Sequence, residues 1–214
     1  MKPKRYPIPA KEVQTEITVV NSRFIATAGP TFSVTEAKTF IQRIKNQFSD
    51  ASYNVSAYVI GHGASVTAHC NDDGEPSGTA GRPALAVLHG SGIGDISVVV
   101  TRYFGGTKLG TGGLVRAYSD AVRAVLDVLP RAERISTHTI MLESPYPLYD
   151  RLSLLIPEFN GQIMDQDFGV QVTLTLRFAI EDLPGFEDAV RELSRDSIDI
   201  FTIESNENTI MPIT

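Results

Sequence analysis

The sequence predicts an α+β protein of two domains, residues 1–134 and 135–214, and three observations predict it. Strand-like runs and segments of helical period alternate along the whole chain, with no long stretch of either alone. The charge changes sign near the proposed boundary. Residues 1–134 carry 15 Lys and Arg against 11 Asp and Glu, whereas 135–214 carry 4 against 14. Finally, the second part reads as β-α-β-β-α-β, the order of the split βαβ or ferredoxin-like unit.

The elements follow in order. Glu16–Val20 and Arg23–Thr27 read as strands around an Asn21-Ser22 turn. Ser33 or Thr35 opens a helix in which Ala37, Phe40, Ile41, Ile44 and Phe48 recur on one face. Asn54–Ile60 and Ser65–Cys70 form a hairpin about Gly61-His62-Gly63-Ala64. A second helix starts near Gly81, with Pro83 in the first turn where a missing N–H costs least, and ends at His89-Gly90. Ile96–Thr101 is a continuous β-branched run, expected to be buried on both faces. Gly113–Leu129 is a third helix, with Leu114, Ala117, Ala121, Val125 and Leu126 inward, closed by Pro130.

In the second part Ile135–Glu143 is a strand, and a helix marked by Pro145 and Pro147 runs to about Ile156. A hairpin turns at Gly169, a helix spans Leu183–Arg195, and Ile198–Ser205 is the last strand, with a frayed tail expected after it.

Composition is that of an ordinary globular protein, at 42% hydrophobic and 21% charged residues over 214 positions. No apolar run is long enough to span a bilayer, and the start MKPKRYPIPAKEV lacks the apolar core of a signal peptide. The single cysteine, Cys70, excludes an internal disulfide. A soluble, cytoplasmic protein without a membrane partner is expected.

Residues 71–123 contain 11 glycines and hold the candidate sites. The first is Phe104-Gly105-Gly106-Thr107-Lys108-Leu109-Gly110-Thr111-Gly112-Gly113, fed by a buried strand and leading into a helix. Glycine amides and the free N–H groups of a helix start make an anion-binding concavity, to which Arg102, Lys108 and Arg116 would add charge. Close packing of the loop against the sheet is the plainer alternative. Thr111-Gly112 stands where a Walker A loop needs Lys-Ser/Thr, and G-x-G-x-x-G is not matched either. No cofactor is therefore expected.

The second candidate is Asn71-Asp72-Asp73-Gly74-Glu75-Pro76-Ser77-Gly78-Thr79. Asp72, Asp73 and Glu75 could act as acid and base or hold Mg²⁺, but stacked turns with internal bonds explain the same residues. A third reading pairs the carboxylates with Arg82, Arg102 or Arg116, so that they, with Ser77 and Gly78, hold the glycine loop in shape. His62, His69 and Cys70 match no zinc spacing, and no metal site is expected. Of the aromatics around the basic positions (Tyr53, Tyr58, Tyr103, Phe104 and Tyr118), Tyr103-Phe104 at the loop mouth is the best candidate for stacking on a base.

DDGEPSGTAGRP followed by VVVTRYFGGTKLGTGGLVRAYSDAV resembles the signature of the IMPACT/YigZ family (UPF0029), with SRFIATAGP and NVSAYVIG resembling its earlier motifs. The likeness covers almost the whole chain, although Tyr53 stands where members often carry His. It implies a first domain like ribosomal protein S5 domain 2 and domain IV of elongation factor G. The second would be a ferredoxin-like domain similar to domain V of that factor. It also implies a role in regulating translation through RNA, the ribosome or a translation-related protein. It carries no settled enzymatic activity, so a binding protein is expected. The family motif falls on Asp72, Asp73, Glu75, Ser77, Gly78, Arg102, Gly105, Gly106, Lys108, Gly110, Gly112, Gly113 and Arg116. An enzyme acting on a small anionic substrate and a protein–protein adaptor remain as alternatives.

Overall fold

The computed structural model describes residues 5–63 and 65–212. Its first elements are β1 (Pro7–Pro9), β2 (Val13–Val19), β3 (Ser22–Pro30), α1 (Val34–Gln47), β4 (Tyr53–His62) and β5 (Ser65–Asn71). Then come α2 (Gly81–Gly90), β6 (Ile96–Tyr103), α3 (Gly110–Asp127) and β7 (Arg131–Ser144). The last are α4 (Tyr146–Glu158), β8 (Gln162–Phe168), β9 (Val172–Ala179), α5 (Leu183–Ser194) and β10 (Ile200–Pro212). The chain is thus a mixed α/β protein, and its contacts divide it into two compact units. One comprises Met1–Glu133 with Met211–Thr214, the other Arg134–Ile210. No helix among the described residues is long and apolar enough to cross a membrane.

In the first unit the β-branched run of β6 takes the centre of an antiparallel sheet ordered β2-β3-β6-β4-β5. Its alternate residues serve different layers, because successive strand side chains point to opposite faces. Val98 and Val100 join Phe24, Ala26, Val55 and Ala57 in the core under α2 and α3, while Val99 packs with Phe40 and Ile44 of α1. The small residues of β3 let α3 lie close, with Leu114, Ala117, Tyr118, Ala121 and Val125 buried.

Local chemistry sets the ends of α1 and α3. Ser33 caps α1: its Oγ accepts from Glu36 N (3.1 Å), and Glu36 Oε2 accepts from Phe32 N (2.9 Å). This reciprocal cap satisfies donors that a helix start leaves open. The apolar period places the start of α3 at Gly113, but the helix begins at Gly110 and ends at Asp127. Gly110-Thr111-Gly112 forms its first turn, where exposed residues contribute no apolar signal.

In the second unit the sheet order is β10-β7-β9-β8, with β7–β9 and β8–β9 antiparallel. Ile140, Leu142, Leu174, Leu176 and Phe178 pack with Leu152 and Ile156 of α4 and Phe186 and Val190 of α5. The chain after Ser205 is not a frayed tail. It continues β10 to Pro212, because β7 is long enough to pair with it. Thr137 and Thr209 share a 2.7 Å hydroxyl bond, and Ser136 Oγ donates to Glu207 O.

Replacing Ser33 with Ala removes the α1 cap. We expect a loss of about 1 kcal/mol in unfolding free energy, read by urea titration, without displacement of the elements around residues 71–123.

Candidate functional site

The three carboxylates of the acidic turn point to three different partners. Asp72 reaches past its own turn to the start of α2, where its Oδ1 accepts from Gly81 N (2.7 Å) and Ala80 N (3.1 Å), and its Oδ2 from Gly78 N (2.8 Å). It caps that helix from nine residues upstream, since Ala80 at the cap position has no acceptor. Burial pushes the Asp72 carboxyl up, but these three N–H groups and the nearby Arg82 outweigh it and hold the group below its ordinary value.

Asp73 sits in the left-handed region at φ 50°, a conformation Asp tolerates, with its own N–H donating to Asn71 Oδ1. Its carboxylate accepts from Asn54 N (2.7 Å) and pairs with Lys45. Glu75 is 7% exposed, and its Oε1 accepts from both Arg102 Nη1 (2.5 Å) and the Tyr118 hydroxyl (2.7 Å). Burial and then the Glu75 carboxylate keep the Tyr118 phenol protonated far above the usual tyrosine range. Ser77 is exposed in the turn, as is Arg82 at the start of α2. Of the pairings in the third sequence reading, the structure holds Glu75 with Arg102, while Asp72 has Arg82 nearby but bonds backbone N–H groups instead.

Arg102 has to be corrected. Expected to offer charge to an anion, it is only 3% exposed, and its charge is taken up by Glu75. The guanidinium lies 5.3 Å from the ring centre of Phe24, 5.4 Å from Phe104 and 6.0 Å from Tyr53. Its Nη2 donates to Ser22 Oγ (3.3 Å), and the same hydroxyl accepts from Gly105 N (3.2 Å). Arg102 therefore positions the glycine loop from beneath. Gly105 has no room for a side chain: a Cβ there would lie 1.9 Å from Asn21 O.

Beyond Gly105 the loop opens outward. Gly106 and Gly110 have φ of +84° and +71°, while Thr107, Lys108 and Gly112 are exposed. Leu109 supplies no side-chain cap to α3, and the first turn of that helix carries no acid. Lys108 and the exposed Arg116 border a cavity of about 290 Å³ beside this helix start, with Leu109, Gly113 and Asp120. Backbone N–H groups, the positive end of an 18-residue helix and two cations are what an oxyanion requires. Phe104 is 46% exposed at the loop mouth. Tyr103 is less available, since its hydroxyl donates to Asp50 (2.9 Å) and Arg23 lies over its ring.

The remaining candidates fall away from this place. His62 stacks on Tyr6 at 4.8 Å, and His69 lies against Tyr58. Cys70 is half-buried, and burial followed by Asp72 pushes its thiol up, away from a reactive thiolate. No group of three or more His, Cys, Asp or Glu suited to a metal ion occurs among the described residues. Sequence reasoning missed Ser22, Lys45 and Asn54. Ser22 looks like a turn residue, and its partner Gly105 lies 83 positions away, so no local signal could have found it.

The same stretch decides the family. Residues 20–126 match the Impact N-terminal domain, and residues 142–197 match a domain of unknown function, DUF1949. IMPACT family member YigZ of Escherichia coli K12 is 35% identical over 198 residues, covering 92% of this chain and 97% of that protein. The chain belongs to the IMPACT family. Another member, YvyE of Bacillus subtilis 168, is 36% identical over 185 residues, covering 86% of this chain and 85% of its own. A crystal structure described as that of a hypothetical protein is similar across 95% of this chain and 98% of its own, with 34% identity and a TM-score of 0.61. The acidic turn and glycine loop of this IMPACT protein both lie inside the first matched domain.

Two outcomes check the acidic turn. Glu75→Gln leaves Arg102 buried without its counter-charge and should cost about 3–5 kcal/mol in urea unfolding, against about 1.5–3 kcal/mol for Tyr118→Phe, which removes one hydrogen bond to the buried carboxylate. Equal, small losses would show that the pair is not holding the loop. For Asp72, a carboxyl lowered in the folded state contributes stability above the ordinary carboxylate range and loses it as pH falls through the folded value. Asp72→Asn should therefore flatten the fall in stability below pH ~4, with the loss in stability concentrated above it.

Proposed function

We propose that this IMPACT family protein binds RNA or the ribosome through the glycine loop and the start of α3, and in doing so regulates translation. The observation that carries the reading is the uncapped, acid-free start of α3 opening on a cavity bordered by exposed Lys108 and Arg116. A backbone phosphate is the oxyanion that fits such a place, with Gly106, Gly110, Gly112 and Gly113 allowing close approach, Gly105 packed beneath them on Asn21, and exposed Phe104 available to a neighbouring base. Arg102, Glu75, Asp72 and Asp73 act as the support, with Tyr103, Ser77, Gly78 and Arg82 around them. The translation connection comes from the family resemblance. So do the finer fold assignments, S5 domain 2-like for the first unit and ferredoxin-like for the second. The acidic second unit would face a basic translation-related protein, or repel nucleic acid from wrong sites.

Catalysis by Asp72, Asp73 or Glu75 is the weaker reading, because each carboxylate is already engaged by backbone N–H groups or a protein cation.

The test is anisotropy of a labelled single-stranded RNA, titrated at several salt concentrations. Lys108→Ala/Arg116→Ala should weaken binding about tenfold or more and reduce the salt slope by about 1.4, the share of two phosphate contacts on a single strand. Equal affinity and slope for both proteins would remove the loop from the site. A nuclease-treated preparation that neither binds RNA nor sediments with ribosomes at low salt would remove the function.

A further inference from the structure

The opposite face of the sheet carries a second cavity that the glycine-loop reading does not use. Helix α1 covers this face through a small apolar contact, with Phe40, Ile44 and Val99 buried together. Beyond it, toward the β5 edge, the sheet is polar. Ser56 pairs with Asn71 across β4 and β5, and Tyr58 pairs with His69. A stripe of α1 faces them: Val34, Lys38, Ile41, Gln42 and Lys45 recur at intervals of three and four residues, which places them along one side of a helix.

Between helix and strands lies a groove of about 570 Å³, within the range of small-molecule sites at roughly 300–1,000 Å³. Its lining suits one kind of ligand. Lys38 contributes positive charge, Lys45 is matched by its pair with Asp73 at one end, and no carboxylate lines the groove itself. The exposed His69 ring forms an aromatic wall, backed by buried Tyr58 at a centroid distance of 5.7 Å and a tilt of 39°. Ser56, Gln42 and Asn71 bring donors and acceptors, while Val34 and Ile41 add apolar surface. An anion site alone would not need the rings, and an apolar site would not carry the lysines. A ligand that joins a flat heteroaromatic ring to a phosphate uses both.

We infer that this groove between α1 and the β4–β5 edge binds a nucleoside phosphate, with the base against the exposed His69 ring that Tyr58 backs and the phosphate toward Lys38. The nucleoside phosphate is either a free mononucleotide or one nucleotide of a single-stranded RNA. The site shares no lining residue with the cavity at Lys108 and Arg116, so the two stand or fall separately.

The experiment is calorimetric titration of the full chain with each nucleoside 5′-monophosphate, inorganic phosphate, ribose 5-phosphate and a short single-stranded RNA. It compares the wild type with Lys38→Ala, His69→Ala and Lys108→Ala/Arg116→Ala. Lys38 and His69 are exposed, so their replacement leaves the core intact. At least one mononucleotide should bind more tightly than phosphate or ribose 5-phosphate. Lys38→Ala and His69→Ala should each weaken it about tenfold, the effect of losing one charge-assisted or stacking contact, with Lys108→Ala/Arg116→Ala leaving it unchanged. If only the RNA binds and the two groove variants weaken it by a similar factor, the nucleotide belongs to a strand. Three results overturn the inference. One is no binding of any nucleoside phosphate or RNA at about 1 mM. Another is phosphate binding as tightly as the nucleotides. The last is sensitivity confined to Lys108→Ala/Arg116→Ala, which would leave the glycine-loop reading intact and this groove empty.

Discussion

The buried contact of Glu75 with Arg102 is the constraint on which the rest of the first unit depends. Two opposite charges taken out of water are costly unless they are paired and further hydrogen-bonded, and at this pair the Arg102 Nε still goes without a partner among the described residues. Here Glu75 also accepts from Tyr118, and Arg102 is flanked by three aromatic rings and donates to Ser22. The acidic turn, the end of β6, helix α3 and the β2–β3 turn thus meet at one pair of side chains. Moving any of them would leave a charge without its partner in a place water does not reach. The glycine loop begins two residues after Arg102, so its first turn inherits this rigidity through the Ser22–Gly105 bond.

That arrangement also explains how an acidic protein can present a basic loop. The net charge is −6, and the sequence places three carboxylates in the turn just before α2. Each of the three is consumed internally, by the start of α2, by Lys45 or by Arg102. What remains exposed at the loop is Lys108, Arg116 and the uncapped start of α3, with Asp120 as the nearby opposing charge. Within the first unit, the potential near that loop is therefore set by local cations and a helix terminus. The excess acid lies in the second unit, where residues 134–210 carry 5 Lys and Arg against 14 Asp and Glu.

Elements whose signal is local were legible in the sequence. Strand β6 announces itself by β-branched residues, α2 by Gly81 and Pro83, and α3 by the apolar face from Leu114 to Leu126. Boundaries were less legible where partners decide them. Helix α3 starts earlier because exposed glycines join a helix without leaving an apolar period. Strand β10 extends further because the length of β7, not its own composition, determines how far it pairs. For the site, the residues were legible and their roles were not. Arg102 and Lys108 look alike in the sequence, six positions apart in one glycine-rich run. One is sealed beneath aromatic rings and the other is exposed to solvent.

By itself the sequence determined the order and type of the elements except β1, the family, and the concentration of glycine, acid and base between residues 71 and 123. These depend on periodicity and on residue chemistry, which act over a few positions. Only the tertiary structure decided which carboxylate meets which cation, because Glu75 and Arg102 lie 27 positions apart and Ser22 and Gly105 lie 83 apart. A charged side chain can serve as ligand, cap or buried strut with the same local sequence around it. The role is settled by the partner that folding brings within hydrogen-bond distance and by whether water is excluded there.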